Sequence, residues 1–436
     1  MACWFYDFEK SYFDKVQSFI FVKNNDMITP QDFPYISAIH VGDCYTYQDF
    51  DITLAKHQPF SHLILTGKNG SGKSTVLRNI DVHIKSALGG KDLNQETINI
   101  ANALKRSIEG NTNLEHYNNW QIQIKTNQRI TPSFINAVQP TFTIHRKEIL
   151  YSYLLPYRNS KVNAVQTPTK QEEFEKQLEQ QTTSSDYFIK NFKQFLVNKK
   201  VNQAFAQLDN NQSEITETEI FFRHIEDVFA KIFEDKNLKL VFVKEAYEFF
   251  IKLSDGRELT FDVLPDGFSA FLSILMDLFL RLDLIRKTVG NNSYNPCGIV
   301  LIDEPETHLH LSLQYQVLPI LTMLFPNIQF IVATHSPAVI SSIKHVTIFD
   351  ITTKETLLDQ AIGKSFSELM VSHFGLDNEF SDFTDALFDK VNAILSQNKD
   401  NPSARNVAIK QILTENEPFI STSMRFELES ILSEMH

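Results

Sequence analysis

The sequence predicts an α/β fold: a mixed sheet flanked by helices, with an inserted helical subdomain and a helical C-terminal segment. First, a glycine-rich loop, Gly67–Ser74, follows the apolar run Leu63–Leu65. Second, the apolar run Ile299–Ile302 ends in two adjacent carboxylates. Third, the apolar run Ile328–Ala333 is followed within two residues by His335. Short apolar runs separated by segments of helical spacing are typical of sheet strands covered by helices.

Five segments are predicted along the 436 residues. An aromatic-rich N-terminal extension covers 1–35, and a first lobe with the glycine-rich loop covers 36–150. A helical insert at 151–235 precedes a second lobe at 236–375. The last segment, 376–436, is predicted to be helical and carries no motif. At this length, two or three structural units are expected.

The first lobe contains five predicted strands. Its runs with strand-like apolar spacing are Ile36–Val41, Phe50–Ala55, His62–Thr66, Trp120–Lys125 and Thr141–His145. The third run enters the glycine-rich loop, and Ser74–Leu88 is predicted as the helix that leaves it. A strand, a glycine-rich turn and a helix in this order are the setting that a phosphate-binding loop requires.

The insert and the second lobe combine helices and strands. In the insert, apolar residues recur at helical spacing in two stripes: Phe188, Phe192 and Phe195, then Ile225, Val228, Phe229 and Ile232. The second lobe is predicted to hold strands at Leu238–Val243, Tyr247–Leu253, Glu258–Val263 and Ile328–Ala333, and helices at Phe268–Ile285 and Leu309–Leu324. Asp277, Arg281 and Asp283 lie within the most apolar helix, which is therefore predicted to be a core helix and not a membrane span.

The formal charge of −12 argues against broad, nonspecific coating of DNA, which needs a concentrated basic field. A local basic patch stays open as an alternative. Its candidate residues are Arg158 with Lys161, or Lys193 with Lys199 and Lys200. Such charges more often belong to a solvated face.

The three cysteines, Cys3, Cys44 and Cys297, fit no metal-binding or disulfide pattern. The charged N-terminus lacks the basic-then-apolar order of a signal peptide. We therefore expect the protein in a reducing cytoplasm.

The glycine-rich loop matches the G-x-x-x-x-G-K-[ST] pattern that binds nucleotide phosphates. Its glycines allow backbone N–H groups to surround phosphate oxygens, Lys73 is placed to reach the terminal phosphates, and the Ser74 hydroxyl is placed to ligate Mg²⁺. The residues predicted to contact the nucleotide are Gly67, Asn69, Gly70, Ser71, Gly72, Lys73, Ser74 and Thr75. The predicted cofactors are ATP and Mg²⁺.

Asp303 and Glu304 follow the apolar run at 299–302, which places them at the carboxyl end of a central strand, where α/β sheets collect ligands. Asp303 is predicted to complete the Mg²⁺ shell with Ser74. Glu304 is then free to orient or deprotonate the attacking water. The alternative is a strand that ends in a solvated acidic loop.

His335 also ends an apolar strand, and in this motif order it is predicted to bind the γ-phosphate and report its presence. A lone histidine is more often structural. His308 and His310 suggest a zinc site only weakly, because no cysteine or further carboxylate besides Glu304 stands at ligand spacing.

The order of these motifs resembles the ABC-type ATPase heads of the SMC, RecF and OLD group. GKNGSGKS is similar to their Walker A motif, VLIDEPE to Walker B with the catalytic glutamate, and ATHS to the switch-histidine segment. ETHLH resembles the D-loop of the RecF and OLD branch, with His310 in place of an aspartate. The resemblance implies an ABC-type P-loop head as the fold.

LPDGF occupies the place of the family's LSGGQ signature, with Pro265 and Asp266 instead of Ser and Gly. The hydroxyl that touches the γ-phosphate of the opposing head is therefore missing. Gly267 and the following helix N-terminus remain, and by the resemblance Gly267 binds the partner head's nucleotide in trans. The family's Gln-loop residue has two equal candidates, Gln123 and Gln139.

The resemblance further implies a head-to-head homodimer, or a higher oligomer, with ATP held between the heads. Within the group, the LPDGFSAFLSILMDLFLRLD segment and the short insert look most like PtuA-type ATPases of Septu-like and retron-associated antiphage systems. The implied function is a nucleotide-driven switch. Its implied partner is an HNH nuclease, or a retron reverse transcriptase with its DNA.

Two other functions stay open. One is a DNA repair or chromosome-maintenance ATPase of the RecF and SMC kind that binds DNA directly. The other is a scaffold that binds ATP without hydrolysing it.

Overall fold

The computed structural model describes residues 27–44, 47–108, 119, 129–136, 138–157, 161–169, 176, 184–264, 266–357, 387, 389–391, 393–394 and 402–416. The predicted strand Trp120–Lys125 and most of the predicted N-terminal extension lie outside these residues, as do Gln123, Arg158 and Pro265. The chain divides into two compact units, Met1–Phe366 and Ser367–His436.

The described strands, in chain order, are β1 (Ile36–Cys44), β2 (Tyr47–Thr53), β3 (His62–Thr66), β4 (Ile130–Phe134), β5 (Leu150–Leu154), β6 (Lys239–Val243), β7 (Glu248–Lys252), β8 (Glu258–Leu259), β9 (Gly298–Asp303), β10 (Ile328–Ala333), β11 (Val346–Asp350) and β12 (Glu355–Leu357). The described helices are α1 (Lys73–Leu88), α2 (Leu93–Ile108), α3 (Val138–Ile144), α4 (Ser185–Leu208), α5 (Gln212–Ile232), α6 (Asp266–Val289), α7 (Leu311–Leu324), α8 (Pro337–Ile340) and α9 (Pro402–Glu415). Helix α9 belongs to the second unit.

The central sheet has six strands in the order β12-β11-β3-β10-β9-β5. The strands from β11 to β5 are parallel, and β12 joins the edge in the antiparallel direction. In the register, Asp303 of β9 lies opposite Ala333 of β10, and Ala333 lies opposite Leu65 of β3. The carboxyl ends of strands that are far apart in sequence therefore meet at one edge of the sheet.

Two antiparallel sheets accompany the central one, with orders β2-β1-β4 and β6-β7-β8. Strand β1, helix α1 and the central sheet share one apolar core. The buried Gln329 joins β10 to β1, because its amide accepts from the N–H of Ile36 at 2.9 Å and donates to the Ile36 carbonyl at 2.9 Å. A buried amide with its donors and acceptors paired fixes the relative position of the two sheets.

Both predicted stripes of the insert are buried. Phe188 and Phe192 lie on α4, which packs against α5 and α6, and Phe229 lies on α5. On α6, Asp277 is fully buried and pairs with Arg281 at 3.0 Å. Among the described residues, no helix is long and apolar enough to cross a membrane.

The α/β fold class is confirmed: a mixed, mostly parallel sheet is flanked by helices and carries a helical insert. Several predicted elements differ. Thr141–His145 was predicted as a strand, yet Val138–Ile144 is a helix, and the His145 N–H donates to the Thr141 carbonyl at 2.9 Å. Pro140 lies in its first turn, where a missing N–H costs nothing.

Other differences concern strand ends and edge strands. The predicted strand at 258–263 is only Glu258–Leu259, followed by a 3₁₀ turn at Phe261–Val263. Strand β5 was not predicted, and residue 151, where the insert was predicted to begin, falls inside it. Strands β11 and β12 were also not predicted. Short runs such as these carry too little periodicity to be separated from loops.

His62 predicts a pH dependence of folding. Its Nδ1 accepts the Phe330 N–H at 3.1 Å, and burial, aided by nearby His345, lowers the pKa of His62 to about 4. The unfolded chain takes up this proton below about pH 6.5, whereas the folded chain does so only near pH 4. His62 should therefore cost about 1–3 kcal/mol of stability as the pH falls through this window.

The measurement is the free energy of unfolding in urea between pH 4.5 and 7.5. The variant His62→Asn keeps an acceptor for the Phe330 N–H and cannot titrate. Its stability should fall less steeply with acid than that of the wild type. Equal slopes in the two proteins would contradict a buried, neutral His62.

Candidate functional site

The glycine-rich loop connects β3 to α1 through residues with left-handed backbone. Gly67, Gly70 and Gly72 have φ of 131°, 75° and 95°, a region that favours glycine. At Gly67 an added Cβ would also lie 2.8 Å from the Thr352 hydroxyl oxygen. The loop thus needs glycine both for its backbone angles and for the close packing of its neighbours.

Lys73 begins α1 and folds back across this loop. Its ammonium donates to the carbonyls of Gly67 at 3.0 Å and Lys68 at 3.2 Å, and the side chain is 6% exposed. Burial lowers the pKa of Lys73 to about 8, although Glu304 and Asp303 act in the opposite direction. The ammonium is therefore held inside the loop and within electrostatic reach of the acids.

Asp303 is buried at the carboxyl end of β9, in the interior strand position that the sequence predicts. Glu304 follows with φ of 49°, an unusual conformation for a residue with a side chain. Its N–H donates to the Ala333 carbonyl at 2.8 Å, and its own carbonyl accepts the Thr307 hydroxyl at 2.9 Å. Strained backbone held on both sides is a feature of functional loops.

His335 follows β10 on the same edge of the sheet. Burial is the main cause that lowers the pKa of His335; the positive charge of Lys73 adds to it, and Glu304 opposes it. The imidazole is therefore kept neutral near physiological pH. The structure thus brings Lys73, Glu304 and His335 within electrostatic reach of one another.

The residues at this edge suit a nucleotide with Mg²⁺. The loop backbone leaves no room for a Cβ at Gly67, and the Ser71 hydroxyl is buried without a hydrogen-bond partner among the described residues. The Ser74 hydroxyl and the Asp303 carboxylate supply oxygen ligands, which Mg²⁺ prefers. A glycine-rich loop that holds a buried ammonium, together with oxygen-bearing side chains at the same edge of the sheet, suits a phosphate–Mg²⁺ pair.

The sequence analysis did not identify a brace behind the loop, formed by the residues that follow β11. The Asp350 carboxylate accepts the Thr352 N–H at 2.7 Å, and the Thr352 hydroxyl in turn accepts the Lys68 N–H at 2.9 Å. The Ile351 N–H donates to the Thr66 carbonyl at 3.0 Å. The available signal was the run Val346–Phe349, apolar except for Thr347 and followed by an aspartate, a pattern similar to the one at Asp303.

The brace predicts that Thr352→Val weakens nucleotide binding. Valine keeps the shape of threonine but cannot accept the Lys68 N–H, so the loop loses its support. ATP affinity should fall about 3–10-fold, in line with one lost hydrogen bond. Isothermal titration with Mg²⁺ and ATP measures this, with Thr353→Val as the control because Thr353 is exposed. Equal affinities of the wild type and Thr352→Val would contradict a supporting role.

Gly267 lies near the start of α6, and an added Cβ would lie 2.5 Å from the His308 carbonyl oxygen. Phe268 beside it stacks on Phe233 with ring centroids 4.5 Å apart. Gly267 therefore fits tightly against the loop after Asp303 within its own chain. Its predicted contact with the nucleotide of a second head stays a prediction.

The second candidate for a basic patch consists of lysines that are engaged with acids or rings. Lys193 is buried and pairs with Glu248 at 3.0 Å, and Lys199 pairs with Asp283 at 2.6 Å. The Lys200 ammonium lies 4.1 Å from the centroid of the Phe222 ring. These three lysines do not form an open basic surface.

A zinc site at His308 and His310 finds no support in the part of the chain that is described. Both side chains are exposed, and no group of three or more His, Cys, Asp or Glu residues that could hold a metal ion occurs there. The side chain of Gln139 lies outside the described side chains, so this Gln-loop candidate stays a prediction.

Comparison with known proteins places this site in a family. A family described as "AAA domain, putative AbiEii toxin, Type IV TA system" matches residues 63–341. This range includes the glycine-rich loop, both acids and His335.

Three curated relatives match parts of this chain. The Retron Ec83 probable ATPase of Escherichia coli is 44% identical over 89 residues, which are 20% of this chain and 16% of that protein. The Retron Vc95 probable ATPase of Vibrio cholerae is 36% identical over 91 residues, 21% of this chain and 18% of that protein. The Septu protein PtuA of Bacillus mycoides is 24% identical over 373 residues, 81% of this chain and 45% of that protein. The chain therefore spans less than half the length of each of these relatives.

A solved structure of an SMC head bound to the C-terminal winged-helix domain of ScpA superposes with a TM-score of 0.37 and 16% sequence identity. The superposition covers 73% of this chain and 94% of that one.

Proposed function

We propose that this chain, which belongs to the AAA domain family matched at residues 63–341, binds ATP with Mg²⁺ at the glycine-rich loop and hydrolyses it. One observation carries the proposal: the glycine-rich loop, two acids and a histidine follow the carboxyl ends of neighbouring parallel strands of one sheet. The probable ATPases among the relatives support the same activity.

Each residue has a role that follows from its position. The loop N–H groups and Lys73 hold the phosphates, because glycines let backbone N–H groups approach phosphate oxygens and the Lys73 ammonium is buried in the same loop. Ser74 and Asp303 would hold Mg²⁺, which when bound neutralises charge on the phosphates. Glu304 orients and deprotonates the attacking water. His335, kept neutral, accepts or donates a hydrogen bond at the γ-phosphate.

We further propose that hydrolysis works as a switch between two heads. In this proposal Gly267 and the N-terminus of α6 meet the nucleotide of a second copy, where backbone N–H groups and the helix dipole favour phosphate. Gly267 fits against the His308 carbonyl within its own chain, so a contact made at Gly267 would act directly on the loop that follows Glu304. Closure of two heads would thereby influence the catalytic acid.

The relatives support a defence role for this switch. They include retron probable ATPases and the Septu protein PtuA. By the stated resemblance, the partner would be an HNH nuclease or a retron reverse transcriptase with its DNA, and the function would be antiphage defence. The ATPase would then control the effector.

The alternative, direct DNA binding by a repair or chromosome-maintenance ATPase, has less support. The net charge is −12, and Lys193 and Lys199 pair with acids. Both features weaken attraction to the phosphate backbone.

The test combines hydrolysis and DNA binding on the full chain. Phosphate release from ATP should depend on Mg²⁺ and stop with EDTA. Fluorescence anisotropy with duplex and single-stranded DNA at low salt should show no binding with ATP present. Salt-dependent DNA binding would favour the DNA repair or chromosome-maintenance ATPase. ATP binding without any phosphate release would favour a scaffold that binds ATP without hydrolysing it.

A further inference from the structure

Glu306 is the last residue of the VLIDEPE segment, has no role assigned so far, and makes two close contacts with the histidine segment. Its Oε1 accepts the Thr334 hydroxyl at 2.6 Å and the His335 N–H at 2.9 Å. The Thr334 oxygen also accepts the Ser336 N–H at 2.9 Å. One carboxylate oxygen thus holds the backbone on which the His335 side chain is mounted.

The second oxygen of Glu306 makes none of these contacts. Oε2 is buried and has no hydrogen-bond partner among the described residues. Burial raises the pKa of Glu306, although the bonds from Thr334 and His335 oppose this. Glu306 also acts on the pKa of Lys73, which places its carboxyl within electrostatic reach of the loop. Glu306 is therefore part of the cluster around Lys73 and not of a remote surface.

The loop that carries Glu306 is fixed at its other end. The Leu309 N–H donates to the Glu306 carbonyl at 2.9 Å, and the Gln314 amide donates to the Leu309 carbonyl at 2.8 Å. Gln314 then accepts the Ser336 hydroxyl at 2.6 Å. Two links therefore join residues 306–309 to residues 334–336, and only the link through Glu306 touches His335 itself.

We propose that Glu306 is a positioning residue: its carboxyl oxygen fixes Thr334 and His335 so that the imidazole meets the γ-phosphate in line with Glu304. This rests on the proposed function, since it concerns the same reaction. Small displacements of a group that contacts the reacting phosphate cost much in rate, because catalytic hydrogen bonds depend steeply on geometry. No charge is needed for this role, only an acceptor at the position of Oε1.

Two conservative variants test the side-chain length and the charge of Glu306 separately. Glu306→Gln keeps the length and the accepting oxygen but removes the charge, whereas Glu306→Asp keeps the charge but is too short to reach both donors. We expect Glu306→Gln to retain kcat within about threefold and Glu306→Asp to lose about 10–100-fold, with little change in KM for either. The reverse order, an active aspartate and an inactive glutamine, would overturn the proposal.

A binding experiment tests the same role without turnover. His335 is proposed to contact the γ-phosphate, so its misplacement should weaken the non-hydrolysable analogue AMP-PNP and leave ADP unaffected. We expect the ratio of AMP-PNP to ADP affinity to fall about tenfold in Glu306→Asp and to persist in Glu306→Gln. If the wild type binds both nucleotides but releases no phosphate, hydrolysis fails as a function while this ratio still decides on Glu306.

A matched control accounts for stability. Glu226 is also a partly buried glutamate whose carboxylate accepts a backbone N–H, from Leu240 at 2.8 Å, and it lies in the insert. Glu226→Asp should leave kcat and the affinity ratio within about twofold of the wild type. If Glu306→Asp behaves like this control in both assays, Glu306 does not position His335.

Discussion

Replacing Lys73 with alanine should abolish measurable ATP binding, with a loss in affinity of at least about 100-fold. The ammonium is held in the loop by the carbonyls of Gly67 and Lys68, and the loop pattern assigns this lysine to the terminal phosphates. Its removal takes away a buried cation that contacts the loop carbonyls. Titration calorimetry with Mg²⁺ and ATP measures the loss.

The fold should survive this change. Burial disfavours the charged form of Lys73, which lowers its pKa to about 8, so the lysine is held for binding at a cost in stability. Thermal unfolding should show Lys73→Ala at or above the wild-type midpoint without nucleotide. The wild type alone should then gain stability from ATP.

Lys85→Ala is the matched control, since Lys85 is on the same helix and pairs with Asp81 at 2.9 Å. It should bind ATP like the wild type. Full ATP affinity in Lys73→Ala would place the phosphates elsewhere and remove the basis of the proposed function.

Replacing Glu304 with glutamine should lower kcat by about 100–1,000-fold and leave ATP affinity nearly unchanged. Glutamine keeps the size of the side chain and its place beside Asp303 but cannot take a proton from water. Phosphate release in a single turnover measures the effect. Equal release by the wild type and the variant would show that Glu304 is not the base.

The same variant tests the two-head model. If hydrolysis opens a closed pair of heads, Glu304→Gln should accumulate as a dimer with ATP and revert with ADP. Size-exclusion chromatography with light scattering measures the mass in each condition. Elution that is identical with and without nucleotide would mean either a constitutive dimer or no such pair.

A second substitution at Glu304 tests the backbone strain of this residue separately from its proposed role as the base. Glu304 has φ of 49°, which glycine adopts without strain. Glu304→Gly should therefore hydrolyse no faster than Glu304→Gln but unfold at a similar or higher temperature than the wild type. A large loss of stability in Glu304→Gly would mean that the carboxylate, and not the backbone, holds this loop.

The resemblance to PtuA-type and retron-associated ATPases is confirmed by the relatives, and the AAA domain family matches residues 63–341, which carry the motifs. The strand His62–Thr66 and the strand Ile328–Ala333 have the predicted bounds, and the helix after the loop begins one residue earlier. These elements could be predicted because each apolar run is followed by a recognisable motif, the glycine-rich loop or His335. Thr141–His145 is not followed by such a motif, and its alternating apolar and polar residues led to the wrong prediction of a strand.

The amino-acid order was enough to predict the glycine-rich loop, the acids at 303 and 304 and the histidine at 335 as one candidate site, because spacing along one strand and its exit loop is a local property. It was not enough to place Asp350, Thr352 and Glu306 around them. Parallel strands pair in an order that differs from their order in the chain, here β12-β11-β3-β10-β9-β5, so these contacts exist only once the sheet has formed. The same holds for Lys193 and Lys199, whose apparent basic patch disappears because folding brings acids from distant segments against them.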